Sequence, residues 1–314
     1  MSHAPQPQIN ITVELGLLER VTLSTLTTLS CCIFFFINVT MLFTLRSKTV
    51  FRETSRYVLL FNLLLADTVQ MALSQLLYIL SVCRVRLTYP VCGLLVMSAN
   101  LTNEISPLTL VVMSMERFVA VCYPLRHSTI ITIRNTAVAV CVVWAFSSLN
   151  VLIRVLLLLD FPFEDLETLQ MKDFCSSFIL YLGQFSALYD ESYTYCLFVS
   201  AGLAVISSYI GVIIAARSAS TDKASAHKAR NTLLLHLVQL GLSVLSTMHN
   251  FLLVAISKVI TRNELVRMQN VFYVFIIILP RCLSPLIYGL RDQTIRSILV
   301  YHLCCRLKLS FTTA

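Results

Sequence analysis

The amino-acid sequence predicts an all-α membrane protein, folded as a bundle of seven transmembrane helices. Apolar residues make up 57% of the 314 positions, and charged residues only 13%, about half the share that is usual in soluble proteins. Seven apolar runs are long enough to cross the bilayer. The loops between them are alternately rich and poor in lysine and arginine. Glycine and proline are scarce, which argues against a turn-rich β fold.

Each run supplies the roughly 20 mostly apolar residues that a spanning helix needs. Helices are required because lipid offers no hydrogen-bond partners to exposed backbone groups. The third run is the most polar, but it must cross, since otherwise the loops on either side of it would share one face. The predicted spans are about 21–45, 57–82, 91–121, 133–159, 193–216, 232–257 and 268–290.

Loop charges orient the bundle. Fifteen of the 24 lysines and arginines fall in loops on one face and seven on the other, while Arg154 and Arg281 lie within spans. The richer face is cytoplasmic by the positive-inside rule. Residues 1–20 are then extracellular, where the sequon at Asn10 can be glycosylated, and residues 291–314 form a cytoplasmic tail. The net charge of +8 therefore reflects topology and predicts no nucleic-acid partner.

Two groups of cysteines are candidates for covalent chemistry. Four lie at or near the outer face, and they allow three pairings of two bridges. A bridge between Cys92 and Cys175 would hold the long external loop over the mouth of the bundle.

After the seventh span the chain is basic and amphipathic, which predicts a short helix on the inner leaflet. Cys304 and Cys305 at its end are candidates for palmitoylation, or for two unmodified thiols.

Residues 115–127 at the end of the third span read MERFVAVCYPLRH. This segment resembles DRYVAIC…PLRY of the odorant receptors, in the rhodopsin-like class of G-protein-coupled receptors. Further resemblances follow in order along nearly the whole chain, and their overall character is most similar to that of fish odorant receptors. They are Asn38, NLLLAD at 62–67, Trp144, Ser208-Tyr209, KARNT at 228–232 with His236-Leu237, and LSPLIYGLRD at 283–292.

The resemblance implies a receptor of the plasma membrane, in the cilia of olfactory neurons. It would bind a small odorant in the outer half of the bundle and activate a heterotrimeric G protein, of the stimulatory olfactory type that raises cAMP. The resemblance also implies an activation switch, in which a glutamate holds its arginine neighbour until that arginine turns inward and seats the G protein. The switch residues are Glu116, Arg117, Tyr209, Pro285 and Tyr288.

A polar network is expected in the middle of the bundle, from Asn38, Asp67, Arg281 and Ser284. The resemblance implies a sodium-linked pocket around Asp67. This chain, however, has Arg281 where the family usually has proline, and Ser284 where it has asparagine. We hypothesise that an Asp67–Arg281 ion pair replaces bound sodium. Arg281 could instead face a hydrated cavity or pair with Glu104.

The ligand cavity is expected between the third, fifth, sixth and seventh spans. Glu104 could bind a cationic odorant there or serve as a structural partner of Arg281, and we favour the structural role. Arg154, near the outer end of the fourth span, could attract an anionic ligand or extend outward to the membrane surface. The cavity candidates are Asn100, Asn103, Glu104, Phe198, Gly202, His249, Asn250, Phe272 and Tyr273.

Other functions are less well supported. The sequence has no metal-ligand spacing, nucleophile elbow or phosphate-binding glycine loop, so we expect no enzyme, no cofactor and no metal site. A transporter would favour internal repeats with broken helices, and none is visible. An insect-type odorant channel would place the N-terminus inside, against the loop charges. A rhodopsin-like receptor for a non-odorant ligand such as an amine remains the main alternative.

Overall fold

Five long helices form most of the structure, a computed structural model. It describes residues 17–159, 170, 171, 175, 184–218, 231, 234, 237, 238, 241, 242, 246, 256, 268, 271–279, 281, 294–296 and 299. Within these residues, five helices are long and apolar enough to cross a membrane. They are α1 (Leu17–Ser47), α2 (Ser55–Val82), α3 (Tyr89–Cys122), α4 (Ile133–Leu159) and α5 (Gln184–Ser218).

The helix bounds follow the apolar runs closely at four of the five helices. Helices α2, α3 and α4 begin and end within two residues of the predicted spans, and α1 begins four residues early. Helix α5 is the exception, because it begins at Gln184 and not near 193. The additional turns contain Asp190 and Glu191, and a hydropathy rule ends a span at such charges. The helix continues through them because Asp190 is paired inside the bundle.

Helix α3 lies at the centre of the described bundle and packs against α2, α4 and α5. A buried cluster joins its cytoplasmic half to the neighbouring helices, through residues such as Leu63 of α2, Leu110 of α3 and Val205 of α5. Ile295 and Leu299 of the tail belong to the same cluster, while Thr294 and Arg296 are exposed. The apolar side of this tail segment therefore packs on the bundle itself.

Side-chain hydrogen bonds tie α2, α3 and α4 together near mid-membrane. The Asn62 amide donates to Thr109 Oγ1 over 2.9 Å, and the Trp144 indole nitrogen donates to Asn62 Oδ1 over 2.8 Å. Such bonds matter within a membrane because lipid offers these polar groups no alternative partner. They fix the rotation of α3, and with it the directions in which its polar residues point.

At the outer end of α3, Cys92 forms a disulfide with Cys175, with the two Cα atoms 5.6 Å apart. The Met171 backbone nitrogen donates to the Leu87 carbonyl over 2.9 Å, which holds a second point of the loop to the start of α3. Cys83 and Cys196 are free thiols. Of the three pairings open to the outer cysteines, the structure therefore contains the one between α3 and the long loop.

Candidate functional site

The first ionic centre lies between α2, α3 and Arg281. Arg281 Nη1 is 2.8 Å from Asp67 Oδ1, and both side chains are 2% exposed. Ser106 Oγ donates to the same carboxylate oxygen over 2.6 Å and accepts from Arg281 Nη1 over 3.1 Å. Arg281 Nη2 also donates to Asn103 Oδ1, and the Asn38 amide donates to the Arg281 backbone carbonyl over 3.5 Å. The guanidinium therefore joins α2 and α3 through direct polar contacts, and the Arg281 backbone carbonyl adds a contact with α1.

These contacts decide whether the pocket implied by the resemblance fits a sodium ion. A hard monovalent cation would need the oxygen atoms that the pocket offers, namely a carboxylate, a hydroxyl and an amide oxygen. Asp67, Ser106 and Asn103 all direct those oxygens to the Arg281 guanidinium. The residues present therefore do not fit a sodium ion, because the Arg281 guanidinium already occupies the position that the ion would take.

The second ionic centre lies in the outer half of the bundle, between α3, α4 and α5. Arg154 of α4 places Nη2 3.1 Å from Glu104 Oε1 and Nη1 2.8 Å from Asp190 Oδ1. Its guanidinium also lies 5.5 Å from the centroid of the Tyr193 ring. Glu104 is further bound by the Asn150 amide at Oε1 and by the Tyr193 hydroxyl at Oε2, over 3.2 Å. Two carboxylates from different helices thus share one guanidinium.

This second centre corrects two expectations. Glu104 is buried in an ion pair, but its partner is Arg154 and not Arg281. Arg154 does not extend outward to the surface, since it is only 5% exposed and points between α3 and α5. Sequence reasoning missed Asp190, Asn150 and Tyr193 as its surroundings. An arginine within a predicted span was the available signal, because such a charge needs a partner.

The cytoplasmic end of α3 has a local ion pair. Arg117 Nε is 3.3 Å from Glu116 Oε2, and His127 Nε2 is 3.7 Å from Glu116 Oε1. Glu116 therefore lies between its paired neighbour in α3 and the one-turn helix His127–Ile130 of the following loop. Tyr209 lies on α5 and is half-buried. Arg117, the partner of this glutamate, is half-buried as well.

Close packing joins α3 and α5 next to this ion pair. A Cβ atom at Gly211 would lie 2.3 Å from Cε2 of the Phe118 ring, and the thiol of Cys122 contacts the Gly211 carbonyl over 3.7 Å. Any side chain here would force the phenyl ring to shift. The two helices therefore approach closely next to Arg117.

The cavity candidates divide into several groups. Asn103 belongs to the first ionic centre, where it accepts from Arg281. Tyr273 is buried against α2. Its ring is stacked 4.7 Å from that of Tyr78, and its hydroxyl donates to Gln75. Tyr273 was expected to line the cavity between the third, fifth, sixth and seventh spans, but its side chain packs against α2. The remaining described candidates are Phe198, which is buried, and Asn100, Gly202 and Phe272, which are half-buried.

Several predicted residues lie outside the part of the chain that the structure describes. Their roles stay predictions. They are Asn10, His249, Asn250, Ser284, Pro285, Tyr288, Cys304 and Cys305.

A groove of about 490 Å³ lies between α1 and α2. Phe36, Leu76 and Ile79 line it with exposed apolar side chains, and the buried Gln75 lies among the lining residues. Exposed apolar side chains on a spanning helix face lipid. The groove is therefore distinct from a cavity between α3 and α5, and it touches neither ionic centre.

Comparisons with known proteins cover almost the whole chain. Residues 25–288 match the profile of the family described as 7 transmembrane receptor (rhodopsin family). Odorant receptor 131-2 of Danio rerio is 32% identical over 277 residues, which are 87% of this chain and 83% of that protein. Olfactory receptor 8A1 of Homo sapiens is 30% identical over 195 residues, or 60% and 56% of the two chains. Human Olfactory receptor 2A1/2A42 is 29% identical over 197 residues, or 61% of each.

Proposed function

Because this chain belongs to the odorant receptors of the rhodopsin family, a family of seven-transmembrane receptors and not of enzymes, we propose a specific signalling function for it. It binds a small-molecule odorant in the outer half of the helix bundle and activates a stimulatory, olfactory-type G protein that raises cAMP. It is a multi-pass protein of the plasma membrane, and we propose the cilia of sensory neurons as its place of action.

The observation that carries the proposal is the pair between Glu116 and Arg117, 3.3 Å apart at the cytoplasmic end of α3. Glu116 is buried and Arg117 is half-buried, and the two residues are neighbours in one helix. A pair of this kind suits a switch, since a partner that engages the arginine can displace the glutamate without separating two helices. The close contact of Gly211 with Phe118 couples the same end of α3 to α5.

The odorant contacts are proposed to come from neutral side chains of α3 and α5, such as Asn100 and Phe198. Glu104 is held by Arg154, Asn150 and Tyr193, so its carboxylate is already ion-paired and hydrogen-bonded. An amine ligand would have to displace that arginine to reach it. The amine-receptor alternative therefore loses its best anchor, and a neutral odorant is the better match.

A functional screen tests the proposal. The receptor is expressed with an N-terminal epitope tag, and tag antibody on unpermeabilised cells confirms the outside N-terminus. An odorant panel is then applied with separately co-expressed stimulatory, inhibitory and phospholipase-coupled α subunits. We expect odorant-dependent cAMP only with the stimulatory subunit, and loss of it in Arg117→Ala at equal surface level. A response carried only by another subunit would contradict the proposal.

A further inference from the structure

The ionic centre of Glu104, Arg154 and Asp190 takes one charged side chain from each of α3, α4 and α5. The two terminal nitrogens of the guanidinium are divided between the two carboxylates, at 3.1 Å and 2.8 Å. Glu104 is 3% exposed, whereas a quarter of the Asp190 side chain is exposed. The centre therefore extends from the interior of the bundle towards its outer surface.

Polar neighbours hold the three charges in place. The Tyr189 hydroxyl donates to Asn150 Oδ1 over 2.7 Å, and the Asn150 amide in turn donates to Glu104. The rings of Tyr189 and Tyr193 are stacked with centroids 6.0 Å apart, and Tyr193 lies beneath the Arg154 guanidinium. These contacts join α4 to α3 and to α5, and the Tyr193 hydroxyl adds a direct link from α5 to Glu104 of α3.

The charges within the centre are unequal. With Glu104 and Asp190 ionised, two negative charges share one positive charge. Removal of one carboxylate leaves a balanced pair, whereas removal of the arginine leaves two carboxylates without their common counter-ion. Buried charges without a partner are strongly destabilising, so the three residues differ in importance although they belong to one cluster.

From this asymmetry we infer that Arg154 is the positioning residue of the receptor's outer half. It fixes α3 and α5 relative to α4, and so sets the shape of the odorant cavity between α3 and α5. The functional part of this inference rests on the proposed odorant binding, but the structural part does not. Arg154 touches no odorant and acts through the two helices that it joins.

Stability measurements test the structural part without odorant or G protein. Arg154→Gln, Glu104→Gln and Asp190→Asn remove one charge each with little change in size. We expect Arg154→Gln to lower the Tm of the purified receptor by roughly 6–20 °C, and either acid variant to lower it by less than half as much. Arg86→Gln, in an exposed outer loop, is the matched control and should leave Tm nearly unchanged.

A triple variant keeps the test decisive if Arg154→Gln fails to reach the cell surface. The combination of Glu104→Gln, Arg154→Gln and Asp190→Asn removes all three charges and should recover surface expression and Tm above those of Arg154→Gln alone. Equal losses in Arg154→Gln and Glu104→Gln, or a triple variant no better than Arg154→Gln, would overturn the inference.

Arg154→Lys separates positioning from simple support of the fold. Lysine keeps the charge but has no planar fork to join two carboxylates at fixed angles. At matched surface level, we expect the half-maximal odorant concentration to rise about tenfold, with basal and maximal cAMP unchanged. An unchanged half-maximal concentration would show that Arg154 does not shape the cavity. Absence of any odorant response in the wild type would contradict the proposed function and leave the stability result standing.

Discussion

Breaking the pair between Asp67 and Arg281 should be among the most costly single changes in the described bundle. Both side chains are 2% exposed, so neither charge can recover its energy by turning to water. Unit charges 2.8 Å apart attract each other by at most about 6 kcal/mol at an effective dielectric constant of about 20. Part of this attraction offsets the free-energy cost of removing the two charges from water. When one partner is lost, the other charge stays buried and that cost is no longer offset. We therefore expect Asp67→Asn or Arg281→Met to lower the free energy of unfolding by about 3–5 kcal/mol.

The double variant distinguishes a pair from two independent charges. Asn and Met at the two positions leave no buried charge without a counter-ion, so the double variant should be more stable than either single one. We expect a coupling energy of about 2–3 kcal/mol. Thermal unfolding of purified receptor and antibody labelling of the surface measure it. The exposed pair Glu53→Gln and Arg86→Met is the control, and its effects should simply add.

Two results would refute this reasoning. One is a double variant no more stable than either single variant, since a true pair predicts recovery. The other concerns the sodium ion. If the Arg281 guanidinium supplies the positive charge beside Asp67, exchange of sodium for a bulky organic cation should leave the wild-type Tm unchanged. A marked fall in Tm on that exchange would show that a metal cation still binds at the centre.

Three further predictions concern the two ends of α3. Gly211→Ala should cost about 1–3 kcal/mol of stability, measured by thermal unfolding, because its Cβ would meet the Phe118 ring at 2.3 Å. Cys175→Ser should lower stability by about 2–5 kcal/mol, as should Cys92→Ser, and the double variant should be no worse than either. Glu116→Gln should raise basal cAMP at equal surface level, because the amide holds the adjacent arginine less strongly; unchanged basal cAMP would contradict that reading of the switch.

Sequence reasoning could bring Asp67 and Arg281 to the same depth, because both lie in recognisable motifs on spans of well-defined length. It could not find the partners of Arg154 in the same way. Asp190 was assigned to the external loop, since the apolar run begins at about 193, but the helix begins at Gln184. Hydropathy ends a span at a charge, whereas a helix accepts a charge whose counter-ion lies on its neighbour.

The error at Tyr273 has a different cause. A regular α-helix turns 100° per residue, and the cavity candidates were chosen on that spacing. Residues Tyr273–Ile278 instead form a π-helix, in which each backbone hydrogen bond spans one more residue. Side chains on the two sides of this segment are therefore displaced relative to each other, compared with the spacing of a regular α-helix. Tyr273 packs on Tyr78 of α2, and no pattern of apolar residues could have revealed the displacement.

The structure explains why α3 is the most polar of the spans, which a hydropathy count alone cannot do. Asn103 and Glu104 are adjacent, so their side chains leave the helix about 100° apart. One reaches Arg281 and the other reaches Arg154. Three residues later, Pro107 removes the backbone donor that would otherwise bind the Asn103 carbonyl. A central helix can carry such residues because protein surrounds it on several sides. The two arginines supply the hydrogen bonds and the positive charge that lipid could not. The most polar span is therefore the one that both ionic centres require.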